Sequence, residues 1–477
     1  MTKQEAAIKY ITENYLDYRR LRHDIVADKL QIRMADSLED AASGYSLEVR
    51  GREYWREMTK HDINSIVCHC AQEYDANITS REVMTALQSD LIPDVHPLRE
   101  YVLSCGEWTE EQPDWIDWVA SQVRVKTSPE SATDRPKGLS ERTACCQTTM
   151  LLDRPYGADR PMNLTSEAGL TVSEAHGLTS NSSQSERSKA DRLWRGCFKK
   201  WFVAMVASWM KDEVVNHQVL VLIGKQGIFK TTWLEHLIPP HLRAYACKLA
   251  NSNDLNKDER LRIAEFGLIS LDEIDSMNNR ELNQLKSVIT ATDVNERAAY
   301  AYTKERRVRL ASFCASGNRR DFLTDITGNR RWLPFEVESI QNPFYTILPY
   351  ERMYAQAWAL AQDPLFSYWF DLDEIEVLEE HNQHFRDESN EEQLLSILFD
   401  VPAEGRGEFM TTAQISERLV TYGNIKKPMA LSRLGMVLGA AGYQSTRPKI
   451  GGRLIRGWLV YQRDTDEIAS LKRLLKE

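Results

Sequence analysis

The sequence predicts an α/β fold, in which helices cover a central parallel sheet, with a mixed α/β domain before it and a winged-helix-like domain after it. Three observations lead to this prediction. Short apolar strands alternate with helical segments between residues 191 and 345, and residues 127–190 are rich in Ser, Thr, Pro and Gly without an apolar period. Residues 391–463 have the pattern of three helices followed by two strands around a Gly-Gly turn. Alternating strands and helices are typical of a parallel sheet covered by helices.

The composition is that of a globular protein. Of the 477 residues, 42% are hydrophobic and 27% are charged, both close to globular averages. No apolar run reaches the roughly 20 residues of a membrane helix, and the N-terminus lacks a stretch of signal-peptide type, so we expect a cytoplasmic location. The eight cysteines lack the spacing of a zinc site. The net charge of −10 argues against a uniformly basic surface but allows local basic patches.

Changes in composition divide the chain into five predicted segments. They are an N-terminal mixed α/β domain (1–126), a flexible linker or insertion (127–190), an α/β core (191–345), a helical connector (346–390) and a winged-helix-like domain (391–477). The linker prediction depends on composition alone, because such a segment buries too little apolar surface to offset the entropy of ordering it.

A phosphate-binding pattern directly follows the apolar strand Val219–Ile223. Glycine, lysine and threonine stand at the positions of a P-loop, G-x-x-x-x-G-K-[ST], between a strand and a helix. In such a loop backbone N–H groups surround phosphates, a lysine neutralises the outer ones and a hydroxyl binds Mg²⁺. The residues expected to bind ATP are Gly224, Gln226, Gly227, Lys230, Thr231 and Thr232, and Thr231 is also expected to bind Mg²⁺.

One position departs from the P-loop pattern. Phe229 stands where a glycine normally precedes the lysine. A side chain there restricts the backbone and crowds the nucleotide, although Gly227 supplies part of the lost freedom. We expect this departure to affect the rate of hydrolysis more than the binding of nucleotide.

Two further strands carry polar residues at their ends. The apolar stretch 268–271 runs into Asp272 and Glu273, so Asp272 is expected to hold Mg²⁺ and Glu273 to polarise the attacking water. Nearby, Asp275 is interpreted as a solvated turn residue. Asn318 follows the strand predicted at 308–315 and suits a sensor of the γ-phosphate or of the water.

Two adjacent arginines, Arg330 and Arg331, lie twelve residues beyond Asn318. One of them is a candidate arginine finger, which would insert into the site of a neighbouring subunit. Taken alone, the pair is more typical of an ordinary protein surface.

Together these residues resemble the virulence-associated protein E family, which is related to superfamily-3 helicases within the AAA+ class. The matching residues are the P-loop, Leu271–Glu273, Leu285-Lys286, Asp293, Arg297, Tyr300, Gly317-Asn318 and Phe322–Trp332. The resemblance covers about residues 195–340. It implies a ring-forming ATPase that uses ATP and Mg²⁺ and takes part in the replication of plasmids, phages or transposons.

Two regions are candidates for nucleic-acid contact. In superfamily-3 helicases the interval between the Asp272–Glu273 strand and the Asn318 strand carries a hairpin that projects into the channel of the ring. Here this interval contains the cations Arg297, Lys304, Arg306, Arg307 and Arg309, interleaved with Tyr300 and Tyr302. Cations interleaved with aromatics suit a single strand, although a solvated hairpin with core tyrosines has the same pattern.

The second candidate region is the C-terminal domain. Residues 400–463 contain ten Lys/Arg and four Asp/Glu, and the basic residues of its third helix and wing include Arg433, Arg447, Lys449 and Arg453. A winged helix places these elements against duplex DNA, but the same fold also mediates protein contacts.

Three hypotheses follow. The first is an ATP-dependent DNA helicase or translocase that forms a homo-oligomeric ring around single-stranded DNA. The second is a nucleotide-gated regulatory or defence switch that does not unwind. The third is a DNA-binding protein that recognises an origin and retains only a weak P-loop. The presence of Glu273 weighs against the third, because the roles in binding Mg²⁺ and activating water are both filled.

Overall fold

The computed structural model describes residues 2–33, 55–74, 77–126, 181–249, 257–296, 305–323, 329–402 and 407–474. The chain divides into two compact units. The first comprises Met1–Lys126, Pro155–Asn318 and Phe335–Asp371, and the second comprises Thr127–Arg154, Arg319–Pro334 and Leu372–Glu477. Residues 127–180 of the predicted linker lie outside the described residues.

The first unit begins with a small α/β layer that has its own core. Its elements are α1 (Lys3–Ile11), β1 (Leu21–Asp24), β2 (Lys29–Arg33), β3 (Trp55–Glu57), α2 (Lys60–Tyr74), α3 (Ser80–Leu87) and β4 (Asp94–Val95). The strands form a sheet in the order β3-β2-β1-β4, in which β1 and β4 are parallel and the other pairs antiparallel. The apolar side chains of α1, α2 and α3 form a buried cluster with those of β1.

The elements of the central layer follow in chain order. They are α4 (Pro97–Ser104), α5 (Trp115–Ala120), β5 (Val123–Val125), α6 (Asn181–Met210), β6 (Val219–Ile223), α7 (Lys230–His236), β7 (Ala246–Leu249), α8 (Lys257–Glu265), β8 (Leu268–Leu271), α9 (Asn279–Thr290), β9 (Asp293–Glu296), β10 (Glu305–Val308), β11 (Ser312–Gly317), β12 (Trp332–Ile340) and α10 (Tyr350–Gln362). The strand predicted at 308–315 is therefore displaced to Ser312–Gly317.

The central sheet has the strand order β5-β12-β6-β11-β8-β7. Strands β6, β11, β8 and β7 are parallel, as the alternation of strands and helices predicts. At one edge the sheet gains a strand from outside the predicted core segment 191–345, since β5 pairs antiparallel with β12. A strand of three residues carries too little sequence pattern to indicate its partner.

Helix α6 covers the central sheet with three tryptophans. Trp194, Trp201 and Trp209 are completely buried. Each indole N–H donates to a backbone carbonyl, Trp201 to Phe313 and Trp209 to Gly267, both at 3.1 Å. Buried indoles with satisfied N–H groups combine a large apolar contact with a fixed position. This packing holds the sheet rigid behind the loops at its edge.

The second unit contains the C-terminal elements. They are α11 (Leu372–Gln383), α12 (Asn390–Leu398), β13 (Phe399–Asp400), β14 (Glu408–Met410), α13 (Thr412–Gly423), α14 (Leu431–Ala440), β15 (Gln444–Thr446), β16 (Lys449–Ile450), β17 (Arg453–Leu454), β18 (Gly457–Gln462) and α15 (Thr465–Leu474). Helices α12, α13 and α14 precede the β16–β17 ribbon in the predicted order. Strand β18 pairs with β13, β14 and β15, so the sheet is larger than the predicted pair of strands. The assignment as a winged helix stays a prediction.

Local sequence explains where the elements of the second unit start and turn. Capping boxes begin α12, through Ser389, and α13, through Thr411, because each hydroxyl and the side chain three residues later satisfy two backbone N–H groups. Gly451 and Gly452 have φ values of +58° and +82°. Two successive positive values form the type I′ turn that suits a tight hairpin. Among the helices of the described ranges, none combines the length and apolar character that crossing a membrane requires.

Candidate nucleotide site

The turn from β6 into α7 is shaped by glycine. A Cβ atom on Gly224 would lie 2.8 Å from the carbonyl oxygen of Val337 in the neighbouring strand β12, so no other residue fits there without displacing the backbone. Gly227 has φ of +81°, a conformation that side chains disfavour. The two glycines therefore let the loop pass close to the sheet and then reverse direction.

Phe229 has a backbone conformation that glycine adopts more readily than other residues. Its φ is +67° and its ψ is 19°, in the left-handed region, directly before the first residue of α7. This conformation costs a residue with a Cβ about 1–2 kcal/mol. The turn before α7 therefore holds a strained residue at the position where the pattern has glycine.

Lys230 extends back along the loop. The residue is 7% exposed, and its Nζ donates to the carbonyl oxygens of Gly224 and Lys225, both at 2.7 Å. The side-chain oxygen of Asn318, at the end of β11, lies 3.4 Å from the same Nζ. Burial lowers the pKa of Lys230, and the nearby carboxylates of Asp275 and Asp272 oppose this shift.

A carboxylate and two hydroxyls meet beside the lysine. Asp272 Oδ1 accepts from Ser316 Oγ at 2.6 Å and from Thr231 Oγ1 at 3.3 Å, and the two hydroxyl oxygens are 2.9 Å apart. Burial raises the pKa of Asp272, but hydrogen bonds from Ser316 and Lys248 outweigh it, so the pKa lies below its usual value. The sequence indicated Thr231 and Asp272 and missed Ser316.

Lys248, on β7, is a second residue that the sequence did not indicate. Its Nζ lies 2.9 Å from Asp272 Oδ2 and 3.9 Å from Glu235 Oε1. Because β7 pairs in parallel with β8, Lys248 lies beside the strand that leads to Asp272. No motif carries this lysine, and only the strand order could have suggested it.

Glu273 and Asn318 complete the rim of the site. Glu273 is exposed and has φ of +52°, the left-handed region again. The backbone N–H of Asn318 donates to Asp275 Oδ1 at 3.0 Å. The interpretation of Asp275 as a solvated turn residue is therefore wrong, because its carboxylate fixes the turn that carries Asn318. Residues in sparsely populated backbone conformations are concentrated at functional sites.

These side chains surround a cavity of about 280 Å³. Its lining consists of Gln226, Gly227, Phe229, Lys230, Thr231, Thr232, Asp272, Glu273, Ser316, Gly317 and Asn318. Of the residues predicted to bind ATP, Gly224 alone is absent from this lining, and it contributes the carbonyl that accepts from Lys230. Residues from three parallel strands meet here because the carboxyl ends of such strands share one edge of the sheet.

The chemistry of the donor groups fits Mg²⁺. Thr231 and Asp272 present hard oxygen ligands, and Mg²⁺ typically takes one or two protein oxygens, with substrate phosphates and waters for the rest. In the part of the chain that the structure describes, no group of three or more His, Cys, Asp or Glu side chains is arranged to hold a metal.

Comparison with known proteins identifies the region that holds this site. Residues 176–392 match the model of the virulence-associated protein E-like domain. The chain carries a virulence-associated protein E-like domain. The resemblance to the virulence-associated protein E family that the motifs indicated is thereby confirmed. The comparison with curated proteins found no match.

Solved structures give a weaker likeness. The chain is similar to the apo structure of the NrS-1 C-terminal region, at 10% identity and a TM-score of 0.43 over 96% of this chain and 100% of that one. An A-form apo structure of the same region gives 10% identity and a TM-score of 0.41, over 95% and 99% of the two chains. These TM-scores are too low to show a shared fold.

The two predicted finger arginines of the virulence-associated protein E-like domain lie in a short 3₁₀ turn, Asn329–Arg331. Asn382 of α11 holds this turn, since its Nδ2 donates to the carbonyl oxygens of Asn329 and Trp332 at 2.9 and 3.0 Å. Arg330 is exposed and Arg331 half-buried. Burial lowers the pKa of Arg331, and the charge of Arg330 lowers it further.

The predicted hairpin of the domain is formed by β9 and β10, which pair antiparallel. Arg297, Tyr300 and Lys304 lie outside the described residues. Arg306 is described, and its exposed side chain pairs with Asp293 at 2.9 Å.

One arginine of the predicted single-strand contact region, Arg309, has a structural role. Arg309 is 1% exposed and donates to the carbonyl oxygens of Ala311, Ile289 and Asn216. It therefore belongs to the core, and the interpretation of Arg309 as part of a strand-binding surface is wrong.

The four predicted contact residues of the C-terminal domain separate into two groups. Arg447, Lys449 and Arg453 are exposed on or beside the β16–β17 ribbon. Arg433, in α14, is half-buried. Burial raises the pKa of Glu392, and the charges of Arg386 and, more weakly, of Arg433 oppose this shift. The ribbon thus presents a basic surface to solvent, whereas Arg433 is also tied to its own domain.

Proposed function

We propose that this chain is a Mg²⁺-dependent ATPase of helicase or translocase type, which acts on DNA in the replication of a mobile genetic element. The observation that carries the proposal is the meeting of Lys230, Thr231, Asp272 and Asn318 around one cavity. Lys230 and Asn318 are 88 positions apart in sequence, yet their side chains approach to 3.4 Å. The virulence-associated protein E-like domain supports the link to mobile elements.

Phosphate binding is assigned to the loop before α7. Backbone N–H groups of Gln226 and Gly227, with Thr232 beside them, would surround the anionic oxygens. Lys230 would neutralise the outer phosphates. Its hydrogen bonds to the carbonyl oxygens of Gly224 and Lys225 hold its ammonium at the cavity. Thr231 and Asp272 would hold Mg²⁺, which when bound neutralises charge on the phosphates.

Hydrolysis is assigned to the rim of the cavity. Glu273 would orient and polarise the attacking water, and Asn318 would contact that water or the γ-phosphate. Arg330 or Arg331 would stabilise the developing charge in the site of a neighbouring subunit, which requires a homo-oligomeric ring. Such an arginine typically contributes about 10³–10⁵ to the rate constant.

Two surfaces would contact DNA. Arg297, Tyr300, Lys304 and Arg306 would contact single-stranded DNA in the channel of the ring. Arg447, Lys449 and Arg453, together with Arg433, would contact the backbone of duplex DNA through the C-terminal domain.

A second candidate function is a nucleotide-gated regulatory or defence switch with little turnover. Two observations favour it: Phe229 holds a strained conformation at the phosphate loop, and Lys248 pairs with the carboxylate that would hold the metal. In this case ATP would control assembly without driving movement on DNA. An origin-binding protein with a weak P-loop would retain duplex binding and lack affinity for ATP.

The experiment that separates these functions is ATP hydrolysis by the full chain, with and without single-stranded DNA. A motor predicts turnover that DNA stimulates and that Glu273→Gln abolishes, while Glu213→Gln, an exposed glutamate outside the cavity, leaves it unchanged. Tight ATP binding without turnover would favour the switch. Equal ATP affinity of the wild type and Lys230→Ala would reject the assignment of the phosphate site.

A further inference from the structure

A cluster of three aromatic side chains lies beside the phosphate cavity. Phe229, which lines the cavity, makes an edge-to-face contact with Phe344, with ring centroids 6.4 Å apart and planes at 83°. Phe344 makes a second contact of this kind with His236 of α7, at 5.6 Å and 87°. The three residues, Phe229, His236 and Phe344, are called the aromatic cluster below.

Phe344 is held in place although most of its surface faces solvent. The residue is 68% exposed, which is unusual for a phenylalanine with two ring contacts. Asn342 fixes its loop, since Asn342 Oδ1 accepts from the N–H of Phe344 at 3.0 Å and its carbonyl accepts from Tyr345 N–H at 3.1 Å. An exposed but positioned ring is ready to bind a planar group without first being ordered.

The opposite side of the aromatic cluster is equally fixed. His236 Nδ1 donates to the carbonyl oxygen of Thr232 at 2.7 Å, because a carbonyl can only accept. Tyr350, the first residue of α10, donates its hydroxyl to the carbonyl oxygen of His236 at 2.8 Å. Helix α7, which starts at the phosphate loop, therefore carries His236, and the segment after β12 carries Phe344.

We propose that Phe344, supported by Phe229 and His236, is the subsite for the base of a bound nucleoside triphosphate. This inference rests on the proposed function. It adds to that function a residue, Phe344, whose ring stacks on the face of the base. The phosphate cavity and the aromatic cluster are continuous, because Phe229 lines the cavity and also belongs to the cluster. A base linked to phosphates in the cavity meets an exposed ring there, and base–aromatic stacking is favourable for every base.

The test compares nucleotides with inorganic tripolyphosphate, which has the phosphates but no base. Dissociation constants of the full chain for Mg·ATP, Mg·GTP and Mg·tripolyphosphate are measured by titration calorimetry. Phe344→Ala is expected to weaken both nucleotides by about tenfold and to leave tripolyphosphate unchanged. Phe344→Tyr should bind like the wild type, because it keeps an aromatic face. Ile347→Ala, which removes another exposed apolar side chain of the same loop, is the matched control.

The outcomes distinguish the inference from the proposed function. Unchanged nucleotide binding by Phe344→Ala, with tripolyphosphate still bound, overturns the subsite and leaves the ATPase assignment intact. Equal weakening of nucleotides and tripolyphosphate also overturns it, since Phe344 would then act on the phosphate loop through Phe229. A variant that changes only the oligomeric state would make this surface an interface between copies instead. Wild-type protein that binds neither ligand rejects the proposed function and the subsite together.

Discussion

Lys248 Nζ lies 2.9 Å from Asp272 Oδ2, so a lysine ammonium pairs with the carboxylate that is assigned to Mg²⁺. The same carboxylate accepts from Ser316 and Thr231 through its other oxygen. Both carboxylate oxygens of Asp272 thus have partners before any cation binds. A metal ion that uses Oδ2 meets the repulsion of the ammonium, which links binding of the cation to the position of Lys248.

Replacement of Lys248 should therefore strengthen the binding of divalent cations. Lys248→Met removes the competing charge and leaves the charge of Asp272 uncompensated, so the dissociation constant for Mn²⁺ should fall by about two- to fivefold, as suits a half-exposed ion pair. Electron paramagnetic resonance of Mn²⁺ measures this directly. Lys248→Arg keeps the cation and serves as the control. Weaker Mn²⁺ binding by Lys248→Met would mean that the lysine supports the site.

The conformation of Phe229 predicts an unusual order of stabilities. Phe229→Gly and Phe229→Ala both lose the ring, but only glycine relieves the left-handed strain of about 1–2 kcal/mol. The greater entropy of an unfolded chain with glycine offsets about 0.4–1 kcal/mol of this. The glycine variant should therefore be more stable than the alanine variant by up to about 1.6 kcal/mol in denaturant unfolding. An alanine variant of higher stability would contradict the backbone assignment.

His96 predicts a loss of stability in acid. Its Nδ1 accepts from the N–H of Arg99 and caps α4, a role that needs the neutral ring. Burial, followed by the charge of Arg99, lowers the pKa of His96 to about 4. An unfolded histidine has a pKa near 6.5. Above that value the stabilisation is complete, and it is lost as the pH falls through about 4, by at most about 3 kcal/mol.

The matched variant is His96→Asn, since asparagine caps a helix well and does not titrate in this range. Denaturant unfolding from pH 7.5 to 4 should show a shallower pH dependence for this variant than for the wild type. Some dependence should remain, because burial also lowers the pKa of His381 to about 4. Identical curves for variant and wild type would exclude His96 as a contributor.

The basic ribbon predicts a salt-dependent contact with duplex DNA. Each phosphate contact contributes about 0.9 to the slope of log K against log salt concentration. The double variant Arg447→Ala/Lys449→Ala should weaken duplex binding and reduce this slope by about 2. Fluorescence anisotropy at several salt concentrations measures both quantities. Lys426→Ala/Lys427→Ala removes two exposed charges elsewhere in the domain, and an equal effect there would indicate non-specific attraction.

The sequence by itself determined the strand β6 and the glycine-containing turn that follows it. Val219–Ile223 has the predicted bounds, because a run of five apolar residues that ends at a glycine is typical of a buried strand. Lys230, Thr231, Asp272 and Asn318 could be selected because each follows or ends such a strand. The physical reason is general: in a parallel sheet the carboxyl ends of the strands lie at one edge, so residues that end different strands meet.

Only the tertiary structure decided which other side chains reach that edge. Lys248 and Ser316 contact Asp272 because of strand order and register, and Phe344 reaches Phe229 because β12 lies beside β6. Arg309 was misassigned because a local cluster of cations does not reveal which side chain points inward. Sequence pattern records the periodicity of one element, whereas contacts between elements depend on how the whole sheet is assembled.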